Sequence, residues 1–114
     1  MTGIERITAE RTRHSSLGWT AEHDAQHSPT DLLQASDCYA REKRAEVCAF
    51  EEEVPLPDIR YPVNWPWHYS WWKPTPHNRI RELEKAGALA LAAVDRIAAE
   101  IDRIQAESTK EKGE

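Results

Sequence analysis

The sequence predicts a mainly α fold: a small three-helix domain with a long C-terminal helix and a Pro/Trp-rich extended strap. Three observations lead there. Ile80, Leu83, Gly87, Ala90, Val94, Ile97, Ile101 and Ile104 advance by alternating gaps of three and four, a spacing that a helix gathers into one seam. Ser28-Pro29-Thr30-Asp31 has the chemistry of a helix start, with a capping hydroxyl, a proline at the first position and an acid facing the positive end of the dipole. Between them lies YPVNWPWHYSWWKPTPH, residues 61–77, with four of the five tryptophans, two of the three tyrosines and four prolines. Prolines at that density oppose both a helix and an internal strand.

Taken in order, residues 3–14 predict a short amphipathic helix carrying Ile4, Ile7 and Arg11, ending near the stretch Ser15 to Gly18. The second helix starts at Ser28 and carries Leu32, Leu33, Ala35, Ser36, Tyr39 and Ala40 on one stripe. The run REKRAEVCAFEEE is expected to prolong it to about residue 52, where Pro55 and Pro57 forbid continuation. Residues 54–76, with six prolines, are expected to form a long ordered connection over the surface. The last helix is expected over 77–106, with Thr75 as cap and Pro76 at its first position. Its seam is assigned to the domain core, with Gly87 and Ala90 allowing close approach of another backbone. The same residues could instead form a homodimer through the C-terminal helix. Residues 1–106 are thus one helical domain, and 107–114 a polar, disordered tail.

The 114 residues, 39% hydrophobic and 31% charged, suit one domain, and no apolar run approaches the roughly 20 residues a membrane helix needs. The amino terminus lacks the apolar stretch of a secretion signal, so a cytoplasmic location is expected. Cys38 and Cys48 are ten apart, which is neither a metal knuckle nor a disulfide framework, and both are expected to be reduced. Residues 1–60 hold seven Lys/Arg against twelve Asp/Glu, and residues 61–114 eight against eight, so the net charge of −5 belongs to the first half. An acidic chain is a poor partner for duplex nucleic acid.

The tryptophan strap supplies buried area in a chain with one Phe and one Met. In an extended backbone Trp65 and Trp67 point to one side, while the adjacent Trp71 and Trp72 point to opposite sides, so one of that pair should stay exposed. The expected outward ring is Trp72. With Lys73, Arg79 and Arg81, and with Trp71 and His77 beside them, it would form a surface for an anionic ligand with a planar ring, combining stacking, charge and free backbone N–H groups. A second polar cluster is GWTAEHDAQHSPTD, in which Glu22, His23, Asp24 and His27 approach a zinc-peptidase spacing. Pro29 opposes the long helix that spacing requires, and no third ligand follows. The cluster is read as capping and hydrogen bonding to local backbone, and no metal or cofactor is expected.

Gly18-Trp19-Thr20, Glu22-His23-Asp24 and His27, then Trp65-Pro66-Trp67, Trp71-Trp72-Lys73-Pro74, and Lys85-Ala86-Gly87-Ala88-Leu89 with Asp95-Arg96-Ile97 together resemble a family of small proteins encoded in tailed bacteriophages and bacterial prophages. The resemblance covers roughly residues 17–104. It implies a phage or prophage origin and a role inside the infected cell, and supplies no activity and no catalytic residues. The expected function is therefore that of a non-enzymatic accessory protein that binds a host or phage protein or a small, nucleotide-like anion, with counter-defence as one such role. The alternative is a small metal-dependent hydrolase or nucleotide-processing enzyme using His23, Asp24 and His27.

Overall fold

A computed structural model describes residues 1–16 and 27–112. Those residues form helix α1 (Gly3–Ser16), helix α2 (Pro29–Ala40), strands β1 (Glu46–Glu51) and β2 (Val54–Pro62), a single 3₁₀ turn (Tyr69–Trp71) and helix α3 (Arg79–Lys112). The fold is mainly helical, with three helices among the described residues, the last of them long.

Each helix starts on a side-chain cap. In α1, Thr2 Oγ1 accepts from the Glu5 N–H and Glu5 Oε1 accepts from the Thr2 N–H, a reciprocal pair that satisfies two donors of the first turn. In α2, Ser28 Oγ accepts from the Asp31 N–H at 3.0 Å, with Pro29 at the first position. The expected start of α3 at Thr75 and Pro76 is corrected. Asn78 Oδ1 accepts from the Arg81 N–H at 3.1 Å, and the helix begins at Arg79. It also runs past residue 106, to Lys112.

The expected prolongation of α2 towards residue 52 is also corrected, because α2 ends at Ala40 and β1 takes up Glu46–Glu51. Two arginines hold that end. Arg44 donates to the carbonyls of Cys38 and Arg41, and Arg79 to those of Tyr39 and Ala40. These are the orphan acceptors of a last helical turn, where cations are favoured. Beyond it, β1 and β2 form an antiparallel hairpin closed by Glu52 and Glu53, both at positive φ (49° and 69°), the backbone of a tight two-residue hairpin turn. The prolines do not prevent strand β2, because a sheet of two strands has only edges. Register jumps between Cys48, opposite Arg60, and Ala49, opposite Leu56, so Pro57, Asp58 and Ile59 bulge out of the ladder. Residues 54–62 are therefore strand rather than plain connection.

The core lies between α2, the strap and one face of α3. Leu32, Ala35, Cys38 and Tyr39 of α2 meet Ala86, Leu89, Ala92 and Ala93 of α3, with Trp65 and Trp72 closing the side. Leu33 and Ala40, expected on the buried stripe of α2, are exposed, and Cys38 takes an inward place instead. The expectation that the Ile80 to Ile104 seam forms this core is overturned: Ile80, Leu83, Val94, Ile97, Ile101 and Ile104 are all exposed, Val94 at 60%. The reason lies in volume. Tyr39, Trp65 and Trp72 are large rings, and an alanine-rich helix face admits them where a face of isoleucines would overpack. In the middle of the seam α1 does dock, as the small residue there permits: a Cβ on Gly87 would lie 2.7 Å from Ile7 Cδ1.

α1 is held largely by charge. Glu10, only 3% exposed, pairs with Arg13, His14 and Arg81, and Arg11 reaches Asp95 at 3.7 Å. Burial alone would raise the Glu10 carboxyl, but hydrogen bonds from Arg81 and Arg13 and the nearby positive charges outweigh it and hold it below its usual value.

Candidate functional site

A cavity of about 360 Å³ opens between the C-terminal part of α1, the strap and α3. Its walls are aromatic and apolar, from Tyr39, Trp65, Trp67, Trp71 and Leu89, and its polar groups come from Arg13, His14, Lys73 and Lys85. A mostly apolar, concave site with a few convergent polar groups and a volume of roughly 300–1,000 Å³ is the usual form of a small-molecule pocket.

The strap reaches this cavity through a compact local fold. The His68 ring accepts from the Ser70 N–H and starts the 3₁₀ turn, and the Trp71 and Trp72 amides donate back to the carbonyls of His68 and Tyr69. Trp65 Nε1 donates to the His68 carbonyl at 3.1 Å. Trp65 lies edge-on to both Trp67 (5.4 Å) and Tyr39 (5.8 Å), arrangements that the ring quadrupoles favour. As the strap geometry requires, Trp71 and Trp72 diverge, one half exposed at 50% and the other 6% exposed. The assignment within the pair is the reverse of that expected. Trp72 belongs to the core, 4.6 Å from the Tyr39 ring and covered by the Arg44 guanidinium at 4.6 Å, whereas Trp71 stands at the pocket.

Lys85 is the most informative group. Its residue is 8% exposed, and Nζ donates to the Lys73 carbonyl at 2.6 Å and lies 5.5 Å from the Tyr39 ring centroid. An ammonium has three donors, and among the described residues no carboxylate lies within ion-pair distance of this one. Burial, reinforced by Arg81 and Arg13 and opposed by Glu10 and Glu82, pushes its pKa below the usual lysine value. His14, also on the wall, is shifted down by burial against the pull of Glu10. Tyr39 is pushed up to about 12, chiefly by burial, and its hydroxyl accepts from the Lys73 N–H at 3.0 Å.

The other residues proposed from sequence are dispersed. Lys73 lines the pocket, but Arg79 caps α2 and Arg81 pairs with Glu10, so both guanidinia hold the fold together. His77 is exposed and does not line the cavity. His27 packs against Trp67 at 4.9 Å between ring centroids. Glu22, His23 and Asp24 lie outside the described residues, and among the described residues no three His, Cys, Asp or Glu side chains are grouped as a metal site. The binding surface drawn from the sequence left out Arg13, His14, Tyr39 and Lys85. A signal for Lys85 was present: it is the one cation set into Lys85-Ala86-Gly87-Ala88-Leu89-Ala90, on the alanine-rich face that packs inward.

No protein-family model, curated protein or solved structure matches the chain. Among the described residues no helix is long and apolar enough to cross a membrane.

Proposed function

We propose that this protein is a binding module for a small anion that carries a planar ring, of the size and chemistry of a mononucleotide, held in the cavity between α1, the strap and α3. The observation that carries this reading is the buried Lys85 ammonium, with a single hydrogen bond to protein among the described residues, on the wall of an aromatic pocket. Desolvating an ammonium that no carboxylate of the described residues pairs with directly is unfavourable, and an anionic acceptor in the cavity would relieve that cost. Lys73 adds a second positive charge and Trp71 a half-exposed stacking face, worth roughly 1–3 kcal/mol against a base. The resemblance to phage and prophage proteins supports a setting inside an infected cell, where sequestering a nucleotide-like molecule would serve counter-defence.

The test is isothermal titration of the full chain with nucleoside mono- and diphosphates alongside inorganic phosphate and the free nucleosides. Micromolar binding of a nucleotide, weakening as salt rises, together with loss of binding in Lys85→Met and weakening in Trp71→Ala, supports the reading. Equal binding in wild type and Lys85→Met, or no binding by any of these anions at millimolar concentration, overturns it.

A further inference from the structure

The pocket leaves the most regular apolar feature of the chain unused. From Ile97 to Thr109 every residue of α3 except Glu100 is exposed, so the helix projects well beyond the body. Sixteen residues, 97–112, amount to about 24 Å of helix. Helices of that length are marginal alone, and the ion pairs Arg96–Glu100, Arg103–Glu100 and Arg103–Glu107 each contribute little. Along the projection Val94, Ile97, Ile101 and Ile104 continue the three-four spacing as alternate a and d positions of a heptad, all exposed. A surface helix of a single domain needs no such stripe on its outer side, whereas a helix that pairs with another needs one with this period.

We propose that this half of α3 pairs with a second copy of the chain as an antiparallel two-helix coiled coil. Val94 faces Ile104 of the second copy and Ile97 faces Ile101, with the two-fold axis near residue 99. Three observations select this occupant and direction. The interface is self-complementary, since reversing Val94-Ile97-Ile101-Ile104 places an a residue against a d residue in all four layers, as a closed two-fold dimer requires. The flank next to the a positions, Leu91, Ala98 and Gln105, carries no charge, and the other flank carries Arg96 and Arg103 with Glu100 and Glu107, which sum to zero. The uncharged flank does not repel a second copy, and on the other flank Glu100, which lies near its own symmetry mate across the axis, is offset by Arg96 and Arg103 of its own helix. Finally, α1 already occupies the seam at Gly87 through Ile7. In a parallel pair two bodies carrying α1 would meet side by side there, while the antiparallel pair places them at opposite ends.

Sedimentation velocity of the full chain from about 1 to 200 µM tests this, because a short interface makes association concentration-dependent. The expected result is a monomer–dimer equilibrium. It should be abolished by Ile101→Asp, an exposed position, with the near-ultraviolet circular dichroism of the body retained. In a Cys48→Ser background, Ala98→Cys should form an intermolecular disulfide under mild oxidation and Ile104→Cys should not. A monomer throughout the range, or a dimer that survives Ile101→Asp, overturns the seam. Crosslinking at Ile104→Cys in preference to Ala98→Cys overturns the antiparallel arrangement.

Discussion

Trp72→Ala is the substitution that most sharply separates packing from binding in the strap. The Trp72 ring is 6% exposed and lies 4.6 Å from Tyr39, 5.1 Å from Trp65 and 4.6 Å from the Arg44 guanidinium. Truncating a buried Trp costs about 3–5 kcal/mol, and those ring contacts place this site in the upper part of that range. One term works the other way: Trp72 Nε1 is buried with no acceptor among the described residues, and removing an unsatisfied donor returns roughly 1 kcal/mol. The expected net loss is about 3–4 kcal/mol, a large share of the roughly 5–15 kcal/mol typical of a domain. At about 4 °C per kcal/mol the midpoint falls by roughly 12–16 °C. Trp71→Ala, at a half-exposed ring, should change stability by less than about 1 kcal/mol. Urea unfolding followed by far-ultraviolet circular dichroism reads both variants without depending on tryptophan emission. Stability of Trp72→Ala within 1 kcal/mol of wild type, or a greater loss in Trp71→Ala, would refute the assignment of the two rings.

Gly87→Ala should loosen α1 by about 1–3 kcal/mol, since the new Cβ meets the stiff Ile7 side chain. Combining it with Ile7→Ala should cost less than the sum of the two single changes, as a double-mutant cycle of unfolding energies will show. At dilute concentration Val94→Asp should lie within about 0.5 kcal/mol of wild type, because that position faces solvent. Ala93→Asp, one residue away on the buried face, should cost at least about 3 kcal/mol by the same assay. The chain should be acid-labile: His14 is held below 6.5 in the folded state and Glu10 below 4.5. The unfolded chain therefore binds more protons than the folded one, first as pH falls through the unfolded histidine range and again through the carboxylate range, and stability declines with each. Urea midpoints of wild type and Glu10→Gln between pH 7 and 3 check this, with the acid-range slope shallower in the variant.

Local chemistry was the legible part of the fold. Ser28, Pro29 and Asp31 specify the start of α2 without reference to anything distant, and the divergence of Trp71 from Trp72 follows from backbone alternation. What failed required knowledge of partners. The three-four spacing of α3 identifies an apolar stripe but not what meets it, and the rings of Tyr39, Trp65 and Trp72 select the alanine-rich face instead. β2 was hidden by Pro55, Pro57 and Pro62, which exclude a central strand but not an edge. The candidate site was legible only in outline. An aromatic, cationic surface was expected beside the strap, and Trp71 and Lys73 are part of one. Arg79 and Arg81, however, are drawn away by the carbonyls ending α2 and by Glu10, both distant in sequence, and Arg13 and Lys85 arrive from helices on either side.

The electrostatic state of the buried ammonium in the pocket can be read at Lys85 itself. A ¹³C-detected titration of the lysine Cε resonances, with Lys85→Met supplying the assignment, reports the ammonium directly. A Lys85 midpoint below the roughly 10.4 of a free lysine is expected, moving upward when a bound mononucleotide brings further negative charge beside it. A midpoint at the free-lysine value, or one unmoved at millimolar nucleotide, would contradict it.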